Sequence, residues 1–392
     1  MAKAKRTVIY LILTSFVISL ISCHTKPLNK KDNLSVEKAR QYALAKLRKS
    51  LNEIPLGQFP IRTEGLGRWE LTSPRSWTSG FYPGCLWLAY QLSNDRFWID
   101  YAKKYTEALE DQQYNTGSHD IGFMMLNSYG NGYKATNNPQ YKSVILQSAQ
   151  SLATRYNPKV GCIQSWNGEY QIIIDNMMNL EILFWAAKHG GDPALYNIAV
   201  NHAHKTIENH IREDGSSFHV VVYDTATGKV KEKRTHQGYA AGSTWARGQA
   251  WGIYGFTMCY RETQDTTYLN TAIKMADYFI SHLPPDHIPF WDFNLPEDHP
   301  RQYRDASAAA IALSGLLELR TYVKDRTRYD AVINDIFNEL TSHYLSTGTA
   351  SSGIILHGAY NVNKENPYDW NASTIWGDYY FLDALKRYQK MQ

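Results

Sequence analysis

The chain of 392 residues sets 41 Lys and Arg against 37 Asp and Glu, a formal charge of +4 that falls to about +1 without the three basic residues at its start, which gives nucleic-acid binding no electrostatic support. No Pro-, Gly- or Ser-rich linker and no low-complexity run divides it, and 43% hydrophobic residues can fill a core, so one large domain is expected. Aromatic residues at 13%, with 28 Tyr and 11 Trp, supply stacking surfaces suited to a ring-shaped ligand, and sugar is the obvious ring.

The first residues read as a processing signal. Lys3, Lys5 and Arg6 precede an apolar run from Val8 to Ile21 that is too short and wrongly flanked to span a membrane. Leu20-Ile21-Ser22-Cys23 then resembles the lipobox of bacterial lipoproteins, which makes Cys23 the lipidated first residue of the mature chain; an ordinary cleaved signal peptide is the alternative. Residues 1–22 are expected to be removed, 23–34 to form an exposed linker and 35–392 to form the folded domain. The protein is then exported, to the periplasm or outer membrane, and meets membrane only through its lipid. Loss of the three basic residues takes 41 cations to 38 against 37 anions, so any anion selectivity must be local.

Amphipathic periodicity predicts about twelve helical segments, at roughly residues 36–50, 80–92, 95–112, 120–130, 138–156, 173–188, 192–212, 243–262, 266–283, 304–320, 327–345 and 373–389. First members of successive pairs are apolar or small, as in Ala306-Ser307-Ala308-Ala309-Ala310-Ile311-Ala312-Leu313, while several second members carry more charge. That alternation fits six hairpins whose inner helices are ringed by outer ones that meet water. Ser217-Phe218-His219-Val220-Val221-Val222-Tyr223-Asp224, running to a turn near Gly228, is the one strand-like interruption and is placed as a β-hairpin at the barrel mouth.

A polar and aromatic cluster heads every second helix. The clusters are Ser76-Trp77-Thr78-Ser79-Gly80-Phe81-Tyr82, Ser118-His119-Asp120, Ile174-Asp175-Asn176, Ser243-Thr244-Trp245-Ala246-Arg247-Gly248-Gln249, Arg304-Asp305-Ala306-Ser307 and Asn371-Ala372-Ser373-Thr374. Six helix starts of this kind point to one shared site. Beyond Cys23, only Cys85, Cys162 and Cys259 remain, without CxxC spacing, so no zinc site is expected; buried thiols are expected, with a disulfide between two of them in an oxidising compartment as the alternative. No nucleotide-binding glycine motif stands in a strand-to-helix context, and no cofactor or metal is expected.

The strings Trp77-Thr78-Ser79-Gly80-Phe81-Tyr82-Pro83-Gly84, His119-Asp120-Ile121-Gly122-Phe123, Asp175-Asn176-Met177-Met178-Asn179, Phe218-His219-Val220-Val221, His236-Gln237-Gly238-Tyr239 and Ser243-Thr244-Trp245-Ala246-Arg247-Gly248-Gln249-Ala250-Trp251 together resemble the unsaturated glucuronyl hydrolases, glycoside hydrolase family 88. Pro289-Phe290-Trp291-Asp292-Phe293, Asp305-Ala306-Ser307-Ala308-Ala309-Ala310 and Trp376-Gly377-Asp378-Tyr379-Tyr380 extend the match, which covers roughly residues 35–390. The resemblance implies an all-α (α/α)6 barrel, in agreement with the six hairpins. It also implies oligosaccharide substrates left by polysaccharide lyases, whose non-reducing uronate carries a C4=C5 double bond. Hydration of that vinyl ether gives a hemiketal that opens and releases the next sugar, so the anomeric carbon is not attacked.

By the match, Asp175 is the general acid and base and Asp120 the second essential carboxylate, a like charge that helps keep Asp175 protonated. The apolar neighbours Ile172-Ile173-Ile174 and Met177-Met178 favour the same protonated form, while a nearby helix N-terminus opposes it. Each Asp alone also reads as a helix N-cap. Arg247, His219 and Gln237 are candidate polar contacts to the uronate, His119 and His236 candidate neighbours that contact it or orient Asp120 and Gln237, and Trp77, Trp166 and Trp251 candidate stacking platforms. Trp87, Trp185 and Trp245 read as core. Family members acting on sulfated glycosaminoglycan fragments often carry a serine-containing segment ending in Lys; here it reads His357-Gly358-Ala359-Tyr360-Asn361-Val362-Asn363-Lys364, without serine, so 6-sulfate recognition by that pattern is not expected. The related rhamnogalacturonyl hydrolases and a noncatalytic glycan-binding lipoprotein are the alternative readings.

Overall fold

The computed structural model describes residues 30–391. The leader and Cys23 lie outside the described residues. Helix α1 (Lys30–Ser50) already begins inside the stretch expected as linker. The chain then alternates inner and outer elements. The inner ring is α2 (Phe81–Ser93), a π-helix (Gly122–Gly130) continued by α4 (Asn131–Thr136), α6 (Asn176–Asn179) with α7 (Glu181–Lys188), α9 (Ala246–Thr263), α11 (Ala306–Leu319) and α13 (Ile375–Met391). Each packs on the next and α13 returns to α2, closing an (α/α)6 barrel. Outside them lie α1, α3 (Phe97–Glu107), α5 (Pro139–Ala153), α8 (Ala194–His210), α10 (Thr266–Ser281) and α12 (Thr327–Glu339).

The two rings differ because their residues differ. In α12 the buried set is Tyr329, Val332, Ile333, Ile336 and Phe337, one face at i, i+3, i+4, i+7 and i+8. In α11 nearly every side chain is buried, as expected for a helix with neighbours on all sides. Small residues set how closely inner helices approach. A Cβ added at Gly255 of α9 would stand 2.5 Å from Met177 Cβ on α6, and one at Gly315 of α11 would stand 3.1 Å from Tyr254 Cα. Any larger side chain at either place would force the ring apart.

Among the described residues, three short sheets interrupt the helices where one hairpin was expected. Strands β1 (Phe59–Thr63) and β2 (Trp69–Thr72) pair, as do β3 (Tyr156–Asn157) and β4 (Cys162–Ile163). The expected hairpin is β6 (Val220–Tyr223) with β7 (Val230–Arg234), joined by a third strand, β5 (Gln171–Ile173). The helix predicted from residue 173 therefore starts at Asn176, because the β-branched Ile172 and Ile173 pair with Val221 and Val220. Strands this short carry no legible alternation.

This sheet positions the site. Register sets Ile173 opposite Val220 and Val220 opposite Arg234, so residues just past these positions emerge side by side at one edge. They are Asp175, His219 and the turn 235–237.

Candidate active site

Asp175 leaves β5 and heads α6 in helical geometry, yet its carboxyl makes no capping hydrogen bond. Its Oδ1 is buried with no hydrogen-bond partner among the described residues and lies 3.7 Å from His219 Nε2. His219 Nδ1 accepts from the backbone N–H groups of His236 and Gln237, each at 3.3 Å, so the ring proton of neutral His219 sits on Nε2 and points to Asp175. Burial, with His236 and Arg247 nearby, holds His219 well below the ordinary histidine range. Its ring stacks on Trp245 at 4.3 Å, and the Arg247 guanidinium lies 4.4 Å from the other ring system of this pair, the Trp245 indole.

Burial pushes the Asp175 carboxyl up to about 7; Arg247 opposes the shift, Asp120 adds to it, and the backbone and Trp251 oppose it again. Its side chain is 14% exposed, through the cleft above it. The result is a carboxyl that holds or loses a proton near neutrality, as a group that must both give and take one requires. Asp120, at the foot of the π-helix, has its Oδ1 3.2 Å from His119 Nε2. The cleft encloses about 620 Å³ including its open mouth, and its walls are Trp77, Trp166, His236, Gln237, Tyr360 and Lys364, together with Asn361 and the groups already described.

One wall is clamped rather than loose. Arg247 Nη1 donates to Asp305 Oδ2 at 2.8 Å and to the Ala359 carbonyl, and Nη2 donates to the Tyr360 carbonyl at 2.7 Å. Gln237 Nε2 donates to the same Tyr360 oxygen at 2.8 Å, and Asn363 Nδ2 returns a bond to the Gly238 carbonyl at 2.8 Å. Segment 359–363 is thus fixed against the 235–238 turn.

Residues 56–390 match the family model described as Glycosyl Hydrolase Family 88. The chain belongs to this family. An unsaturated glucuronyl hydrolase of Formosa agariphila is 41% identical, the match covering 98% of this chain and 99% of that protein. One from Bacillus sp. strain GL1 is 35% identical over 85% of this chain and 91% of its own. A solved unsaturated glucuronyl hydrolase described as specific for heparin superimposes with a TM-score of 0.88 at 40% identity, covering 92% of this chain and 98% of that one. The barrel and the glycoside hydrolase class expected from the sequence both stand on these findings.

Within this family 88 site, eight expected residues line the cleft directly: Asp175, Asp120, His119, Trp77, Trp166, His236, Gln237 and Arg247. His219 stands immediately behind Asp175. Trp251 does not line it. Its indole is fully buried one turn below Arg247, against Phe123 and Tyr380, and offers no face for a sugar to stack on. Instead its Nε1–H favours the Asp175 anion from beneath, short of a full hydrogen bond. Arg247 and Gln237 were expected to direct their donors at ligand, whereas several are engaged by the 359–360 backbone. Trp245, read as core, is buried but forms the back of the site beneath His219. Tyr360 and Asn361 line the cleft and carried no periodic or motif signal; the stretch around them stood out only for its missing serines and for Lys364 as an anion contact. Cys85, Cys162 and Cys259 are buried free thiols, as expected.

Proposed function

We propose that the cleft takes the non-reducing 4,5-unsaturated uronate of lyase-generated oligosaccharides and that Asp175 hydrates its C4=C5 bond. Protonated Asp175 gives its proton to C4, positive charge develops at C5 and the ring oxygen, and water adds at C5 while returning a proton to the Asp175 carboxylate. The hemiketal then opens and the neighbouring sugar leaves. The observation carrying this reading is the uncapped Asp175 carboxyl, whose Oδ1 has no hydrogen-bond partner among the described residues, raised to about 7 at the floor of an aromatic-walled cleft.

The other expected roles follow from position. His219 Nε2–H orients the Asp175 carboxyl, Asp120 receives sugar hydroxyls, and Trp77 and Trp166 flank the ring. Arg247 acts mainly through the wall it clamps and through its charge on Asp175. Lys364 is the cation at the mouth and suits an anionic neighbour of the uronate. Purified enzyme should abolish the ultraviolet absorbance of the conjugated double bond on glycosaminoglycan-derived unsaturated disaccharides, with or without chelator, and leave saturated analogues intact. Comparable cleavage of the saturated analogue would falsify the hydration route; faster turnover of pectin-derived disaccharides would move the substrate to the galacturonate series.

The chain is further proposed to be a lipoprotein anchored through Cys23, on the strength of its basic start, short apolar run and lipobox. Labelled fatty acid is expected to enter the wild type and not Cys23→Ser; equal labelling of both sinks this part.

A further inference from the structure

Asp305 is fully enclosed at the head of α11, where its Oδ1 accepts from the backbone N–H of Ser307 at 3.0 Å, from that of Ala308 at 3.3 Å and from the Ser307 hydroxyl. A helix cap needs no more than this, and asparagine or serine would supply it. Further contacts lead away from the helix. Oδ1 also accepts from the Ala359 N–H at 3.2 Å, and Oδ2 accepts from Arg247 Nη1 at 2.8 Å, in a pair whose side chains are 1% and 0% exposed.

Two routes out of Asp305 meet at Tyr360. One passes through Arg247, whose Nη2 donates to the Tyr360 carbonyl at 2.7 Å. The other passes through the Ser307 hydroxyl, which accepts from Trp376 Nε1 at 3.0 Å; the Trp376 ring centre lies 5.3 Å from that of Tyr360 and 5.0 Å from that of Trp77. The same carboxylate therefore governs where the buried guanidinium sits. A buried cation without its counter-ion turns to whatever acceptor remains. Asp175 Oδ1 has no hydrogen-bond partner among the described residues, and Arg247 is near enough to favour its anion. An Arg247 released from Asp305 would pair with Asp175 and hold it ionised.

We infer that Asp305 is a positioning residue of the cleft: it keeps the Arg247 guanidinium off the Asp175 carboxyl and holds the wall of Tyr360 and Asn361 in place beside Trp77. The other groups facing Asp175 are untouched by a change at 305. Asp120, at the foot of the π-helix, disfavours the Asp175 anion; His219 lies 3.7 Å away on the β6 side, and His119, His236 and Lys364 line the cleft beyond. Arg247 itself is faced by His219, by the rings of Trp245 at 4.4 Å and Trp376 at 5.4 Å, and by the carbonyls of Ala359 and Tyr360.

The placement of Arg247 can be read without turnover; the kinetic consequence rests on the role given to Asp175 above. In Asp305→Asn the amide oxygen keeps the α11 cap and the Ala359 contact, while its NH2 cannot accept from Arg247. Infrared titration of the Asp175 carboxyl, taken as the difference from the same protein carrying Asp175→Asn, should show a midpoint lowered by about one pH unit or more. An unchanged midpoint in folded Asp305→Asn overturns the inference, whatever the substrate proves to be. With unsaturated disaccharide, the pH at which kcat falls should move down equally, and KM should rise about 3- to 10-fold as the wall loosens. A lowered midpoint with an unmoved kinetic limb would uphold the placement of Arg247 and overturn the role of Asp175 instead. Asp305→Glu keeps the charge but not the reach, so the limb should return toward wild type while KM stays raised; a limb as low as in Asp305→Asn contradicts the pairing role. Where Asp305→Asn does not fold, Asp305→Asn combined with Arg247→Gln replaces the ion pair by an amide pair. There the midpoint should lie above wild type because the cation is gone, and a midpoint at or below wild type overturns the inference.

Discussion

The two ends of the barrel treat a buried carboxylate in opposite ways. At the mouth, Asp175 is enclosed by apolar residues, its Oδ1 has no hydrogen-bond partner, and burial raises it to about 7 against the pull of Arg247. In the far half, burial would also raise Asp383, but Arg387, Lys386 and the Ser314 hydroxyl outweigh it and hold the carboxyl well below the usual range. Its Oδ2 receives Ser314 Oγ and Arg387 Nε, each at 2.6 Å. Arg387 continues to Glu318, which also receives Arg261, and Arg261 reaches Glu181 at 2.6 Å. Burial is common to both ends; the number of donors supplied decides the charge state. A saturated network cements four inner helices, whereas an unsaturated one leaves a proton free to move.

The same substitution at each end breaks this comparison most directly. Asp175→Asn should lower kcat by roughly 100- to 10,000-fold while the barrel stays folded, since an amide keeps the shape but cannot shuttle a proton. Asp383→Asn should leave kcat of the folded enzyme unchanged. Near-normal turnover by folded Asp175→Asn, followed by ultraviolet absorbance, removes Asp175 from its assigned role.

Stability should respond with opposite signs. Asp383 is depressed in the fold, so its contribution is present above the unfolded-state value and lost as pH falls; at neutral pH Asp383→Asn should cost about 3 kcal/mol by leaving Arg387 incompletely paired. Asp175 is raised, so burying it as an anion costs stability as pH climbs from the ordinary carboxylate range through about 7. Asp175→Asn should therefore gain roughly a few kcal/mol over wild type in urea melts above neutrality and little in acid. Equal effects of pH on both variants would contradict the contrast. Activity that uses the protonated form should decline as pH rises through about 7 for the same reason.

The smallest effect concerns the walls. Trp166→Ala should raise KM by roughly 3- to 10-fold, the worth of one aromatic face, with kcat little altered. Trp251→Phe, buried below the site, should leave KM nearly unchanged and shift the pH limb upward, because its N–H no longer favours the Asp175 anion. A large KM change in Trp251→Phe would return it to the sugar-facing set.

The alternation was legible along the chain because an inner helix such as α11, with neighbours on nearly all sides, is apolar or small along most of its length, while an outer helix such as α12 needs only one apolar face. The cleft residues were legible as strings at helix starts, Asp120 and Asp175 above all. Trp251 was misplaced because a motif gives a residue's neighbours in sequence, not which way its ring points; on α9 it faces the core one turn below Arg247. Tyr360 and Asn361 were missed because they lie in irregular backbone held by Arg247 and Gln237, partners more than a hundred residues away.

Local sequence thus determined which segments become helices, that six decorated helix starts exist, and which family carries them, since periodicity and short motifs are properties of adjacent residues. The tertiary structure alone decided the charge states. Asp175 and Asp383 are the same side chain near or within inner helices, yet Asp383 Oδ2 accepts from Arg387 and Ser314 while Asp175 Oδ1 has no hydrogen-bond partner among the described residues. A carboxyl's proton affinity follows from the donors and apolar atoms that folding brings around it, and those arrive from distant parts of the chain.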